Sequence, residues 1–296
     1  MSTARPALFE RAIPLVFVLI WSTGWIVARY SADYADPLTF LCARYALAGL
    51  VLVVFALIAR AQWPQSLAEY GHALFSGVLI HAIYLGCVWY AIRQGVPTAI
   101  SALIAATQPL LTTLLAPALA GERISRMRWL GVLVGMAGLV IVLAPKLWGV
   151  ALADVRHVAW PIGINLLGMV SVTFGTFYQK RFIRSGDLRS VTVLQYCGAL
   201  AVTLPVAFLL EPMRIEWNTT MVLVMAWSVL ALSIGAIALL LLLIRRGEVS
   251  KSAQLIYLIP PTASIQAYFL FGEVLSPVQL GGMALTAMGV ALASRK

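Results

Sequence analysis

Polar and aromatic side chains interrupt several long apolar stretches of the sequence, and these are the residues that could contact a bound solute. His81 and Tyr84 are three residues apart in one stretch, a spacing that places them on one face of a helix. A histidine surrounded by hydrocarbon is a functional candidate, and a hydrogen bond between packed helices is the alternative. These side chains can form hydrogen bonds and aromatic contacts, which are the interactions that bind a solute.

Two further pairs have the same character. Trp21 and Trp25 are four residues apart, so both rings could line one wall, with an aromatic belt at the membrane interface as the alternative for Trp25. Gln254 and Tyr257 are three residues apart and could face the same cavity, with hydrogen bonding between helices as the competing interpretation. The predicted substrate-binding residues are therefore Trp21, Trp25, His81, Tyr84, Gln254 and Tyr257.

Catalytic chemistry has no comparable support. An enzyme would need a nucleophile with a base, or a cluster of metal ligands. The three histidines lie on different segments without carboxylate partners, and the three cysteines fall in apolar stretches without metal-ligand spacing. The sequence also lacks the glycine-rich phosphate loop of ATP hydrolases. We therefore expect no enzyme activity, no metal and no cofactor.

The elements that must position these residues are membrane-spanning helices. Hydrophobic residues make up 61% of the chain, charged residues make up 11%, and the mean hydropathy is +0.93. A helix needs about 20 apolar residues to cross the hydrocarbon core. Ten stretches approach that length, namely 12–28, 37–59, 70–92, 94–121, 129–145, 157–179, 190–210, 217–244, 252–272 and 274–294. The predicted fold is an all-α polytopic membrane protein with ten transmembrane helices.

The net charge of +10 follows the positive-inside rule and does not form a nucleic-acid surface. With the N-terminus inside, the cytoplasmic loops and termini hold 15 of the 21 Lys and Arg residues, and the opposite face holds five. Both termini are therefore predicted to be cytoplasmic. The expected surroundings are a lipid bilayer, with no nucleic-acid partner.

The second half of the sequence repeats the first at an offset of 151 or 152 residues. The matched pairs are Asp36 with Asp187, Tyr45 with Tyr196, Pro109 with Pro261, Gly121-Glu122 with Gly272-Glu273, and Gly131 and Gly138 with Gly282 and Gly289. Each copy holds five spans, an odd number, so the second copy should enter the membrane from the opposite side. This predicts inverted five-helix repeats over 1–150 and 151–296, around a central cavity.

Four residues are assigned structural or gating roles. Pro109 lies near the middle of the fourth span, and Pro260 and Pro261 interrupt the ninth, so each frees a backbone carbonyl near the bilayer midplane, unless it only shapes packing. Arg44 is the only basic residue well inside a span. Its side chain could pair structurally or reach the membrane surface, or it could attract a substrate carboxylate.

The paired prolines, the Gly-Glu that follows each of them and the glycine-rich fifth and tenth spans resemble the drug/metabolite transporter superfamily. Within it, the chain is similar to EamA-type exporters with two five-helix halves, over nearly its whole length. More narrowly, the segment from Trp21 to Trp25 and the series His81, Tyr84 and Tyr90 resemble the YddG group of amino-acid exporters.

The resemblance implies a secondary transporter of the inner membrane that exports neutral, including aromatic, amino acids by alternating access. Transport of another metabolite or drug is the first alternative, and a channel or an intramembrane enzyme is more remote. Because no span carries an acidic residue in its middle, passive facilitation and proton coupling through His81 both stay open. The sequence is compatible with a monomer and leaves the oligomeric state open.

Overall fold

The structure is a computed structural model, and it describes residues 8–121, 124–147, 152–236, 238–239 and 258–293. Its helices are α1 (Leu8–Tyr34), α2 (Pro37–Ile58), α3 (Leu67–Arg93), α4 (Thr98–Ala105 and Gln108–Ala120), α5 (Arg126–Leu147), α6 (Leu152–Phe182), α7 (Leu188–Leu210), α8 (Thr219–Gly235), α9 (Ile259–Phe271) and α10 (Pro277–Ala293). By length and composition α1 to α7 can cross a membrane, and α8 and α10 are shorter apolar helices. The described part of the chain is thus all-helical, apart from one isolated bridge between Ala35 and Ile215.

Two helices contain a π-helical stretch. One covers Val78–Ile83 within α3, and the other covers Ser228–Gly235 within α8, 150 residues further along. A π-helical turn disturbs the regular backbone ladder and is often found at functional positions. In α3 the carbonyl of His81 accepts a hydrogen bond of 2.9 Å from the Tyr45 hydroxyl, so a side chain from α2 contacts this irregular backbone.

The prolines of the fourth and ninth spans lie at helix starts. α4 is interrupted at Ala106–Thr107, and Pro109 is the second residue of the helix that follows. Pro260 and Pro261 are the second and third residues of α9. At these positions the missing N–H of proline costs little, because the first helical turn has no internal acceptor for it. The break that the sequence predicts in the fourth span therefore lies just before its proline.

Loops from the two halves of the chain are tied together at each end of the helix bundle. We call these ends the Asp36 face and the Asp187 face. At the first, the Asp36 amide donates to the carbonyl of Arg214 at 3.0 Å; at the second, the Asp187 amide donates to the carbonyl of Gln62 at 2.8 Å. Both the donors and the acceptors are repeat counterparts in the sequence. One backbone hydrogen bond therefore occurs twice, at opposite ends of the molecule.

A carboxylate strengthens the contact at the Asp36 face. Glu211, just after α7, accepts 2.8 Å hydrogen bonds from the backbone amides of Leu38 and Thr39 and from the Thr39 hydroxyl. These amides belong to the first turn of α2, where they have no acceptor within the helix and where negative charge is favourable. Glu211 thus caps α2 from the other half of the chain.

Replacing this carboxylate should weaken the fold. We expect Glu211→Ala to destabilise the protein by about 2 kcal/mol, because charge-assisted hydrogen bonds to buried amides are lost. Thermal unfolding of the detergent-solubilised protein measures the change. The control is Glu216→Ala, which removes an exposed carboxylate paired with Arg214 on the same face. Equal losses in the two variants would contradict the capping role.

α5 and α10 cross at very short distance through glycines. A Cβ atom built on Gly289 would lie 2.2 Å from the backbone nitrogen of Gly135, and one on Gly138 would lie 2.5 Å from the nitrogen of Thr286. Small residues at such crossings let helix backbones approach closely, which is how helices associate in a membrane. The glycine-rich spans predicted from the sequence form this contact.

The centre of the bundle is formed where α2 packs against α7. The rings of Tyr45 and Tyr196 stack with their centroids 5.7 Å apart, and both residues are buried. These two tyrosines are repeat counterparts in the sequence. α3 packs beside α7 and α6, which brings its polar and aromatic residues toward the same centre.

Candidate substrate site

His81 lies beside the stacked tyrosines at the centre of the bundle. Its ring centroid is 4.8 Å from that of Tyr196 and 6.2 Å from that of Tyr45. The Tyr45 hydroxyl is held by the His81 carbonyl, so the ring of Tyr45 is fixed in this position. The first predicted binding residue thus lies in an aromatic cluster contributed by α2, α3 and α7.

A buried amide network borders this cluster. The side-chain nitrogen of Gln195 donates to the Ser76 hydroxyl at 3.1 Å and to the amide oxygen of Gln179 at 3.0 Å. Buried polar groups are stable only when they are paired in this way. The network joins α3, α6 and α7 and fixes the polar surroundings of the aromatic rings.

Arg44 lies deep in the bundle, and its side chain is only partly paired. The residue is 7% exposed, and its guanidinium carbon lies 5.6 Å from the centre of the Trp89 ring. One terminal nitrogen donates to the Ser233 hydroxyl at 3.5 Å, and the Nε atom is buried without a hydrogen-bond partner. A cation with so few contacts is unusual in a bundle interior.

The guanidinium of Arg44 points toward the middle of the bundle. Arg44 lies seven residues into α2, roughly 10 Å along its axis, whereas Ser233 lies fourteen residues into α8, roughly 21 Å along its axis. Both helices begin at the Asp36 face, since the loops that precede them pair through Ala35 and Ile215. Contact with Ser233 therefore requires that the Arg44 side chain is directed away from the Asp36 face.

Tyr84 belongs to the same neighbourhood. His81 and Tyr84 are three residues apart on α3, and the His81 ring packs against Tyr45, the residue that follows Arg44 on α2. Tyr84 is partly buried against the central core, and its backbone carbonyl lies close to Gly168 of α6. The structure therefore brings together the segments of α2 and α3 that carry Arg44, His81 and Tyr84.

The two predicted tryptophans of α1 have different surroundings. Trp25 is 6% exposed, belongs to the central core and has an Nε1 atom without a hydrogen-bond partner. Trp21 is 39% exposed and packs against Phe17, with the ring centroids 5.2 Å apart. An interfacial belt position does not suit the buried Trp25. Trp21 contacts a neighbour on its own helix.

Two of the four remaining predicted residues of this region, Pro260 and Pro261, lie at the start of α9. Gln254 and Tyr257 are outside the described residues. Pro260 and Pro261 line a mostly apolar cleft of about 150 Å³ between α4, α9 and α10, together with residues such as Leu103 and Met283. The described lining of this cleft, which the two prolines border, offers few polar groups.

Several residues of the site were missed or underrated from the sequence. Trp89 and Ser233 contact Arg44, and the Ser233 hydroxyl also donates to the carbonyl of Ser228. The only signal of these residues in the sequence was their position within apolar stretches. Asn165 is fully buried, and its amide donates to the Ser101 hydroxyl at 2.7 Å. Serines inside predicted spans were a usable signal, because such hydroxyls must find partners between helices.

A second cavity, of about 420 Å³, opens at the Asp36 face. It is lined by charged and apolar residues that include Arg29, Asp33, Arg93, Phe271 and Glu273. Arg29 pairs with Asp33 at 2.9 Å, and Arg93 donates to the carbonyl of Ala32. This polar vestibule lies between the ends of α1, α3 and α9.

Glu273 joins α9 to α4 beside this vestibule. Its carboxylate accepts hydrogen bonds from the amides of Thr98 at 3.0 Å and Ala99 at 3.1 Å. Phe271 packs edge-on against Tyr30 of α1, with ring centroids 4.9 Å apart. Glu273 thus caps the N-terminus of α4.

The arrangement presents hydrogen-bond donors, aromatic faces and one cation inside an apolar helix bundle. Comparison with known proteins agrees with this picture of solute binding in a membrane. The model of the EamA-like transporter family matches residues 12–144 and again 159–295. The chain belongs to this family, and it is an integral membrane transporter rather than an enzyme.

Individual relatives support the same class. The uncharacterized inner membrane transporter YedA of Escherichia coli K12 is 26% identical, with 96% of this chain and 92% of the relative covered. A probable amino-acid metabolite efflux pump of Salmonella typhimurium LT2 is 23% identical, with 94% and 92% covered. A solved crystal structure superposes with a TM-score of 0.64 at 21% identity and 95% coverage of both chains, which supports the fold alone.

Proposed function

We propose that this protein is a secondary transporter that exports neutral, including aromatic, amino acids and related small metabolites by alternating access. The observation that carries the proposal is the central cluster in which His81 packs against Tyr45, the residue that follows the buried Arg44. Tyr84 lies one turn after His81 on the same helix, and the cluster lies in a member of the EamA-like transporter family. A cation beside aromatic rings suits a solute with a carboxylate and an apolar side chain. The efflux pump among the relatives carries amino-acid metabolites by its name, which favours the same substrate class.

Ten spans in two inverted five-helix units, 1–150 and 151–296, are part of this proposal. It is supported by the backbone hydrogen bond that occurs at both ends of the bundle, on Asp36 and on Asp187. The stacking of Tyr45 on its counterpart Tyr196 gives further support, because residues near a two-fold axis meet their own equivalents. Such units could exchange conformations and so open the central cluster to each side in turn.

The proposed orientation has the Asp187 face and both termini in the cytoplasm. Four basic residues lie near the end of α6 and the start of α7, at the Asp187 face, namely Lys180, Arg181, Arg184 and Arg189. A cytoplasmic excess of basic residues is the usual arrangement in inner membranes. Export would then carry solute from the Asp187 face to the Asp36 face.

Transport of labelled amino acids into protein-only vesicles tests the function. We expect saturable uptake and counterflow, and flux without saturation would indicate a channel. A panel that includes sugars tests the substrate class, since uptake of sugars without amino acids would replace the assignment. A pH gradient imposed on the same vesicles decides between facilitation and proton coupling through His81.

Substitutions test the binding residues. Tyr84→Ala, Trp21→Ala and Gln254→Ala should each change the rate or the substrate profile, by roughly threefold to tenfold, because each removes one ring or amide contact. Insertion into the membrane should be unaffected. The control is Trp160→Ala, which removes a tryptophan that is 58% exposed. Unchanged kinetics in all three variants would eliminate this site.

A further inference from the structure

Three buried hydrogen-bond donors on α2, α3 and α8 have no partner. They are the Nε atom of Arg44, the Nε1 atom of Trp89 and the hydroxyl of Ser228. The Trp89 ring lies 5.6 Å from the guanidinium carbon. Ser228 is linked to Ser233, whose hydroxyl donates to the Ser228 carbonyl at 3.1 Å and accepts from Arg44. The Trp89 ring and the Ser233 hydroxyl thus lie beside the guanidinium, and Ser228 precedes Ser233 by five residues on α8.

This cation has no carboxylate partner among the described residues. The ion pairs found there involve Asp33, Asp187 and Glu216, which lie at the ends of the bundle. The contact of Arg44 with Ser233, at 3.5 Å, is at the limit of a hydrogen bond. A guanidinium taken out of water without a counter-charge costs several kcal/mol, so the site has an excess of positive charge and unused donors.

We propose that Arg44, Trp89 and Ser228 form a binding site for the carboxylate of the transported solute. This proposal rests on the function proposed above and names the group that the protein recognises. A guanidinium can donate two parallel hydrogen bonds to a carboxylate, and the indole N–H and the serine hydroxyl are further donors to its oxygens. The bound carboxylate supplies the missing counter-charge.

The repeat does not duplicate this site. The repeat counterpart of Arg44 is Gln195, whose amide is already paired with Ser76 and Gln179. One carboxylate is therefore bound on the side of α2, α3 and α8. The His81 ring packs against Tyr45, the residue that follows Arg44, so in this proposal the apolar part of the solute lies toward those rings.

Three ligands of similar shape separate the contributions of the carboxylate and the amine. Phenylalanine has both groups, phenylalaninamide lacks the carboxylate, and 3-phenylpropionate lacks the amine. In wild-type vesicles we expect phenylalanine and 3-phenylpropionate to compete with labelled phenylalanine, and the amide to compete at least about tenfold more weakly. Equal competition by the amide would overturn the proposal.

Arg44→Gln should abolish this discrimination. The KM for phenylalanine should rise roughly tenfold or more, while competition by the amide stays as it was. Arg44→Lys should recover part of the affinity, because it keeps the charge without the planar fork. The control is Lys180→Gln, which removes one exposed positive charge far along α6. Discrimination that persists in Arg44→Gln would also overturn the proposal.

A second variant covers the case in which Arg44→Gln fails to fold. Trp89→Phe keeps an aromatic ring beside the guanidinium and removes one hydrogen-bond donor. It should therefore weaken the binding of phenylalanine and leave the competition by phenylalaninamide unchanged. Thermal stabilisation of the solubilised protein by 3-phenylpropionate gives a readout without transport. If this stabilisation depends on Arg44 or Trp89, the carboxylate site is supported. If the same protein transports no amino acid, the proposed function is refuted although the site is retained.

Discussion

Gly289→Ala should unfold or severely destabilise the protein, because the added methyl group has no space. Its Cβ would lie 2.2 Å from the nitrogen and 2.4 Å from the Cα of Gly135. Both are backbone atoms, so relief requires α5 and α10 to separate. We expect a loss of about 3 kcal/mol and an apparent Tm lower by roughly 10 °C. Size-exclusion chromatography and thermal unfolding in detergent measure the effect.

The matched control for this substitution lies on the same helix. Gly281→Ala adds the same methyl group where no atom lies within 4 Å, so it should be neutral or slightly stabilising through higher helix propensity. If both variants behave alike, the close contact of α5 and α10 does not exist in the folded protein.

Glu273→Ala should open the Asp36 face. The variant loses the two hydrogen bonds that hold α9 against the first turn of α4. Charge-assisted bonds of this kind contribute about 1.5 kcal/mol or more each, so the balance between closed and open forms should shift by about a hundredfold. A cysteine introduced by Val96→Cys, in a background without native cysteines, lines the vestibule beside Glu273. Its reaction with a membrane-impermeant maleimide should become much faster.

Two comparisons make this test specific. Glu273→Gln keeps one acceptor and should give an intermediate labelling rate. Glu216→Ala removes a carboxylate whose side chain is 52% exposed on the same face, and it should leave the rate unchanged. A labelling rate in Glu273→Ala equal to that of the parent would mean that the cap does not hold the face closed.

Much of the helical framework was predictable, because hydrocarbon surroundings leave a chain few choices. Apolar length located the helices, and the offset of the repeats picked out Asp36, Asp187 and the glycines that form contacts between the halves. Irregularities of the backbone within the helices could not be predicted from the sequence. The π-helical stretches and the interruption at Ala106–Thr107 depend on packing against neighbours, which a single sequence does not contain.

The candidate site was predictable in part. Arg44, His81 and Tyr84 stood out because polar residues are costly in apolar stretches, and in the structure His81 packs against Tyr45, the residue that follows Arg44. Trp89 and Ser228 did not stand out, since their importance comes from donors left unpaired after folding. The spacing of two residues along a helix also does not predict how deeply each side chain is buried. Trp21 is exposed, whereas Trp25, four residues later, is buried.

α2 and α7 contact each other at three positions along their axes. Glu211 and the Asp36 amide hold one end, the Asp187 amide holds the other, and Tyr45 stacks on Tyr196 between them. The two helices cannot slide along each other or separate without breaking several of these contacts at once. In the proposed cycle α2 and α7 therefore keep a fixed relative position, and the remaining helices move around this pair.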